Sequence, residues 1–188
     1  MAAPAWAWAA VRLQGTRCAL RLWRMDDAES LVRQANNINV ARNLRDRFPH
    51  PYTRENGSAF LKAATSSPEP SNLAIDVNGL AVGGIGYVPG VDIERYSAEM
   101  GYWLGEPYWG RGIVTEALIL MTEHVFESMN MLRLFALSFA DNAASIRVLE
   151  KAGYVREGTL RASCVKYGEP RHQLLYARVN DRWRGVSG

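Results

Sequence analysis

The stretch AEMGYWLGEPYWGRGIVTEAL, Ala98–Leu118, decides the fold. It opens inside a strand, Ser97 to Leu104, passes through a turn, Gly105 to Gly112, and enters a helix reaching from about Val114 to Met129. In that helix Val114, Ala117, Leu118, Met121, Val125 and Phe126 recur at three- and four-residue spacing, the apolar face of an amphipathic helix. Gly110 and Gly112 flank Arg111 where the chain turns, so several main-chain N–H groups converge at the helix's positive end. No Cβ keeps a phosphate off that backbone, and Arg111 adds a charge-assisted contact. Such a nest suits a pyrophosphate. The Lys-Ser/Thr ending of a P-loop is missing, and the G-x-G pair alone also describes an ordinary tight turn.

Upstream, Leu73–Val77, Asn78-Gly79 and Leu80–Val88 read as strand, two-residue turn and strand, because Asn-Gly accepts the positive φ angles of a type I′ turn. Gly83, Gly84 and Gly86 imitate part of a dinucleotide fingerprint, but Tyr87-Val88-Pro89 stands where a helix would have to begin. The expectation is instead a strand that another backbone approaches closely. Earlier still, Arg17 to Arg24 alternates like a strand. Asp26 or Asp27 caps a helix carrying Ala28, Leu31, Val32 and Ala35. Asn36 to Pro51 is a loop-rich insert with room for a short helix, and Thr53 opens a second helix that ends before Pro68. Downstream come a strand, Leu132 to Ser138, a helix from Asp141-Asn142 to the C′ glycine Gly153, and two strands, Tyr154 to Leu160 and Gln173 to Val179, around a turn at Tyr167–Pro170. The pattern predicts an α/β fold: a mixed, mostly antiparallel sheet of six or seven strands flanked by helices.

The 188 residues suit one domain, expected over 13–188 behind a flexible leader, 1–12, whose Trp6 and Trp8 are free to dock on a partner. The 48% hydrophobic and 22% charged content excludes an intrinsically disordered chain. A net charge of +3 without a run of like charges does not call for nucleic acid. Cys18 and Cys164 lie far apart, outside any CxxC or Cys/His pattern, so no structural metal or disulfide framework is expected, and the compartment reads as reducing, hence cytoplasmic. The apolar start has no Lys or Arg ahead of it and is too short to span a bilayer; no membrane segment is expected.

A second chemistry-bearing run is DNAASIRVLEKAGYVREG, Asp141–Gly158. Asn142 stands where a strand gives way to a helix, so it either caps that helix or meets the amide groups of a ligand beside the strand. Ser145 lies one turn on. Taken with LQGTRCALRLW and the following DDAE, HPYTRENGSAFL, the Ala98–Leu118 block and YGEPRHQLLYA, the chain from Leu13 to Tyr176 resembles the GNAT superfamily of acetyl-CoA-dependent N-acetyltransferases, in its RimJ/RimL-like branch. The resemblance implies a sheet splayed in the middle. It implies that the loop Trp109, Gly110, Arg111, Gly112, Ile113, Val114 and Thr115 grips the diphosphate of acetyl-CoA, and that the strand Tyr102, Trp103 and Leu104 flanks the pantetheine arm. Asn142 would contact that arm, with Ser145 near the thioester sulfur. Trp109 at the head of the loop is normal for the branch; Val114 at its end is bulkier than the usual Gly or Ala and is tolerated if it faces the core. The tyrosine that other branches use as acid, seven residues after the Asn, is Leu149 here, and the usual Arg-Asp of the last block is Arg171-His172.

The implied reaction needs a neutral amine, and alkylamines near pH 7 are mostly protonated, so a base or a water chain must strip them. Glu99, just before the loop, matches in position the base of the superfamily's histone acetyltransferases; otherwise it is a cross-strand or surface carboxylate. A strand N–H from Tyr102 to Leu104 would meet the developing oxyanion, and Ser145 would donate to the departing thiolate. The acceptor, a protein N-terminus or a small-molecule amine, is expected in a cleft walled by residues 36–52, with Trp23 and the Val165–His172 segment opposite. His124 is expected on a solvated helix face, while His50, His172 and Cys164 read as loop residues near the acceptor side, with acyl transfer through Cys164 not required. A homodimer is compatible with the sequence. The reading from another class is a non-catalytic acyl-CoA-binding or scaffolding module, to which His172 and Val114 point.

Overall fold

The computed structural model describes residues 11–185. The expectations for Trp6 and Trp8 lie outside those residues. Eight strands form one sheet in the order β1-β2-β3-β4-β5-β6-β8-β7. They are β1 Arg12–Gln14, β2 Ala19–Arg21, β3 Asn72–Val77, β4 Leu80–Pro89, β5 Ser97–Leu104, β6 Arg133–Phe139, β7 Val155–Lys166 and β8 Glu169–Val179. The helices are α1 Ala28–Ala35, α2 Ile38–Ala41, α3 Arg54–Ser66, α4 Ile113–Ser128 and α5 Ala143–Lys151. Every neighbouring pair is antiparallel except β5 with β6, which run parallel across the α4 connection.

The strand count exceeds the expected six or seven at the front of the sheet. Arg17–Arg24 is a strand only over Ala19–Arg21, and the residues before it fold back as β1, with Arg12 opposite Arg21. Val11 is already buried in the main core, so the last two residues of the expected leader belong to the fold. At the other end, β7 and β8 run well beyond the strands read from the sequence. Residues 161–172 are mostly a hairpin extension whose tip, Tyr167-Gly168, has positive φ at both positions, a type I′ turn. A bulge between Leu160 and Cys164, with Ala162 at φ 48°, hid this pairing from period-two reasoning.

The Gly83-Gly84-Gly86 run does what close backbone approach requires. A Cβ on Gly83 would lie 2.4 Å from the Trp103 carbonyl oxygen, and one on Gly84 2.8 Å from the Trp103 indole nitrogen. The main core fills the face of the sheet under α4, with Leu20, Ile75, Ile85, Leu118, Met121, Leu134 and Leu149 fully buried. A second cluster, Trp23, Leu31, Tyr52 and Leu61, lies under α1 and α3 on the other face. Among the described residues no helix is long and apolar enough to cross a membrane.

One ionic group is buried where the two layers meet. Arg21 grips Asp27 through two hydrogen bonds of 2.7 and 2.8 Å and Asp76 through a third of 2.6 Å. It thereby ties β2 to β3 and to the entry of α1. Removing the guanidinium strands two carboxylates in the interior, which costs about 3–5 kcal/mol in comparable sites. Arg21→Ala is expected to lose stability of that order in urea titration at pH 7. A loss under 1 kcal/mol would show that the triad is dispensable.

Candidate active site

A cavity of about 1770 Å³ runs across the sheet between β5, the 109–115 loop, the first turns of α5 and the 36–52 insert. A pocket for one drug-sized ligand spans roughly 300–1,000 Å³; this one has room for two reactants.

The cavity exists because β5 and β6 part company. They pair only through Ser97, Ala98 and Glu99 against Arg133, Leu134 and Phe135. Beyond that point β5 stays with β4 as far as Leu104, and β6 stays with β8 as far as Phe139. The β6-facing edge of Met100–Leu104 is left without a strand, so its main-chain groups, apart from the Leu104 carbonyl that Trp109 takes, are open to whatever enters the gap. This is the splay expected of the sheet, and it includes Tyr102, Trp103 and Leu104.

At the C-terminal end of β5 the chain makes the expected nest. Gly110 and Gly112 both have φ near 74°, and a Cβ on Gly110 would meet nothing within 4 Å. The N–H groups of residues 110–115 have no acceptor among the described residues, as expected before the first intrahelical bonds of α4. Trp109 donates its indole N–H to the Leu104 carbonyl at 2.8 Å, so the residue heading the loop anchors it to the strand. Val114 is half-buried: it packs against the main core and also lines the cavity. Glu116, one turn into α4, holds the β1–β2 turn. Its carboxylate accepts from the Thr16 hydroxyl at 2.6 Å and from the main-chain N–H groups of Thr16, Arg17 and Cys18 at 2.7–3.0 Å. Burial pushes this carboxyl up, but those hydrogen bonds outweigh it and hold it down at about 2. The same contact pushes the buried Cys18 thiol up to about 12, first by burial and then by the Glu116 charge.

Across the gap Asn142 caps α5, accepting from the Ser145 N–H at 3.1 Å through Oδ1. Asn142 therefore serves as the cap of α5, and it also lines the cavity. The Ser145 hydroxyl is 2.8 Å from the Tyr102 hydroxyl. Burial above all, and the nearby Tyr154, push the Tyr102 phenol well above its ordinary range, against the Ser145 hydrogen bond. Leu149, in the place of the other branches' tyrosine, is wholly in the core.

Glu99 lines the cavity from the opposite face of β5. Strand alternation puts it with Gly101 and Trp103, while Met100 and Tyr102 face the core and α5. Arg45 of the insert pairs with one Glu99 oxygen. Phe48 packs edge-on against Trp103 at 5.3 Å and at a tilt of 39° against Tyr52 at 5.0 Å. The insert is thus fastened over this face, and a third tie is Lys166 of the β7 tip, whose Nζ is 2.7 Å from Asp46. Near the loop, Glu106 accepts from Asn37 and Asn39 at 2.6 and 3.0 Å, seating α2.

Several sequence expectations need revising. Trp23 is a buried core residue bonded to Asn72, beneath the cavity rather than in its wall. From Val165–His172, Tyr167 and Arg171 reach the cavity, but His172 accepts from the Ala162 N–H at 2.8 Å and serves the bulge. Cys164 is outside the cavity lining. His124 is half-buried rather than solvated, and burial pushes its imidazole down. His50 lines a smaller cavity under the hairpin tip. Arg45, Phe48 and the Tyr102 hydroxyl were missed; only the period-two face of β5 could have singled out Tyr102.

Residues 17–155 match the family model described as an acetyltransferase (GNAT) domain. Among curated relatives, the uncharacterized N-acetyltransferase YoaA of Bacillus subtilis (strain 168) is 33% identical over 85 residues, 45% of this chain and 48% of its own length. The ribosomal-protein-serine acetyltransferase of Escherichia coli (strain K12) shows the same identity and coverage. The chain thus spans about half the length of these relatives. Among solved structures, RimL, a ribosomal L7/L12 alpha-N-protein acetyltransferase in complex with coenzyme A, superposes with a TM-score of 0.80 at 19% identity, over 91% of this chain and 99% of that one. That likeness carries the fold.

The clamp on the β1–β2 turn gives a pH test. Because the Glu116 carboxyl sits at about 2 against an ordinary 4.5, its contribution is fully present above pH 4.5 and fades as pH falls toward 2. Glu116→Gln is expected to be less stable than the parent at pH 7, with the gap closing between pH 4.5 and 2 in denaturant titrations.

Proposed function

The chain belongs to the GNAT acetyltransferase family, and from that premise we propose that it moves an acetyl group from acetyl-CoA to a primary amine by direct attack while both are bound. The observation that carries this reading is the parting of β5 and β6 beside an open main-chain nest at the start of α4. The nest fits a diphosphate, having free N–H donors, no Cβ in the way and Arg111 at hand. Acetyl-CoA supplies the activated thioester.

This chain's residues do the rest. The gap between the strands admits a thin arm, and the unpaired edge of Tyr102–Leu104 offers amide contacts to it and a donor for the developing oxyanion. Asn142 donates its remaining amide hydrogens to the same arm. Glu99 accepts the proton of the incoming ammonium with the oxygen that Arg45 leaves free, directly or through water. The amine lone pair then attacks the carbonyl carbon and the carbon–sulfur bond breaks; the thiolate takes a proton from the Ser145 hydroxyl, and the acylated nitrogen releases its second proton to water, which restores the Ser145–Tyr102 pair. Tyr102 stands behind Ser145 at 2.8 Å as the replenishing donor; its raised pKa keeps it protonated. Base and acid thus work from opposite faces of β5.

Two matched relatives, a ribosomal-protein-serine acetyltransferase and a ribosomal L7/L12 alpha-N-protein acetyltransferase, make peptide N-termini the first acceptors to try. Small amines follow. Val114 and His172 pointed to a binding-only module. His172 serves a bulge outside the cavity lining, and Val114 packs against the core while also lining the cavity, where it leaves the Gly110 and Gly112 backbone bare.

Release of CoA thiol with a peptide and amine panel tests the reading; acetyl-CoA binding without release from any acceptor would favour the module. Glu99→Gln is expected to lower kcat about 10²- to 10³-fold, the range of general-base losses, with acetyl-CoA affinity kept. An unchanged pH–rate profile would remove Glu99 as base. Gly112→Asp, which adds a charge and a side chain at φ 74°, is expected to abolish acetyl-CoA binding in calorimetry.

A further inference from the structure

Basic side chains outnumber carboxylates by seven to three along the walls of the large cavity, far beyond what a net charge of +3 over 188 residues would spread there. Six of the seven fall into two groups, and the seventh, Arg171, pairs with Asp141. Arg111 on the loop, with Arg147 and Lys151 one turn apart on α5, lies at the nest end, where the phosphates of coenzyme A are proposed to sit. Arg42, Arg45 and Arg47 are in the insert at the other side, where Arg45 touches Glu99. The phosphates account for the first group; in the second, Arg45 has Glu99, and Arg42 and Arg47 have no ion-pair partner among the described residues.

The carboxylates of the cavity are already engaged. Glu99 pairs with Arg45, Asp141 with Arg171, and Glu106 is held by Asn37 and Asn39. Asp46, on the rim, is taken by Lys166. Arg42 lies close enough to Glu106 and Asp141 to help hold both carboxyls below their usual range, after the hydrogen bonds that dominate there. Arg47 has no carboxylate within ion-pair distance among the described residues. A polycationic amine would therefore meet only the one free oxygen of Glu99, whereas an anionic group would meet exposed guanidinium groups able to grip it with two hydrogen bonds.

Resting on the acetyl-transfer reading of the same cleft, we infer that the acceptor is a primary amine carrying carboxylate groups close to the amine, bound by Arg42 and Arg47. An acidic peptide N-terminus and a free amino dicarboxylate share this chemistry. The experiment sets N-terminal Ser-Asp-Glu peptides against the isosteric Ser-Asn-Gln and the basic Ser-Lys-Lys, and in a separate arm glutamate against glutamine amide. Thiol release is read at saturating acetyl-CoA. The acidic peptide is expected to exceed its neutral isostere in kcat/KM by at least about tenfold, and the basic one by more. Preference in the peptide arm alone identifies a protein terminus, and preference in the small-molecule arm identifies a metabolite. The double variant Arg42→Gln/Arg47→Gln is expected to shrink the acidic preference below about threefold, while acetyl-CoA affinity changes less than about threefold. Equal or better turnover of neutral or basic acceptors would overturn the inference and leave acetyl transfer standing. If no acceptor releases thiol, acetyl transfer fails. Binding of the same peptides to the CoA-saturated protein then decides: an acidic preference abolished by the double variant upholds the anionic site, and its absence overturns it.

Discussion

Two neighbouring strands that stop being neighbours halfway along set the terms for everything else here. Unpaired main-chain groups inside a protein cost on the order of 1–3 kcal/mol each unless water or a ligand satisfies them. A sheet that opens after three residue pairs must therefore be held open by its other bonds. β5 is held by seven residue pairs to β4, and β6 by seven to β8. Each side of the gap is rigid because its outer ladder is complete. The Tyr102–Ser145 contact bridges from β5 to α5 across the opening.

Strand alternation then divides labour across β5. Tyr102 looks toward α5 and Ser145, away from bulk water, while Glu99 looks toward the insert and its arginines. The carboxylate and the two hydroxyls are thereby separated by the strand itself. The insert, too irregular to pack as a regular layer, is pinned at four places: Glu106 by Asn37 and Asn39, Glu99 by Arg45, Trp103 by Phe48, and Lys166 by Asp46. Its arginines reach the cleft without being drawn into the core.

The clamps behind the site follow a similar logic. Glu116 spends its carboxylate on the turn between β1 and β2, a contact about a hundred residues long in sequence, and so ties the start of α4 to the edge of the sheet. Arg21 does the same at the entry of α1. Both lie in the blocks that carried the family resemblance, although each looks locally like an ordinary surface charge.

What the sequence determined by itself was whatever depends on near neighbours. The Asn-Gly hairpin, the glycines that let Trp103 approach, the helix from 113 onward, the loop's open amides and the Asn142 cap are all settled within a few residues by φ preference, capping and periodicity. The family blocks added the splay. Tertiary structure alone decided that Arg45 meets Glu99, that Tyr102 backs Ser145, that Trp23 sits in the core and that Lys166 reaches Asp46. It also decided that β7 and β8 continue past a bulge. The reason is physical: a side chain's partner across fifty or a hundred residues is chosen by strand order and register, and local preference contains neither.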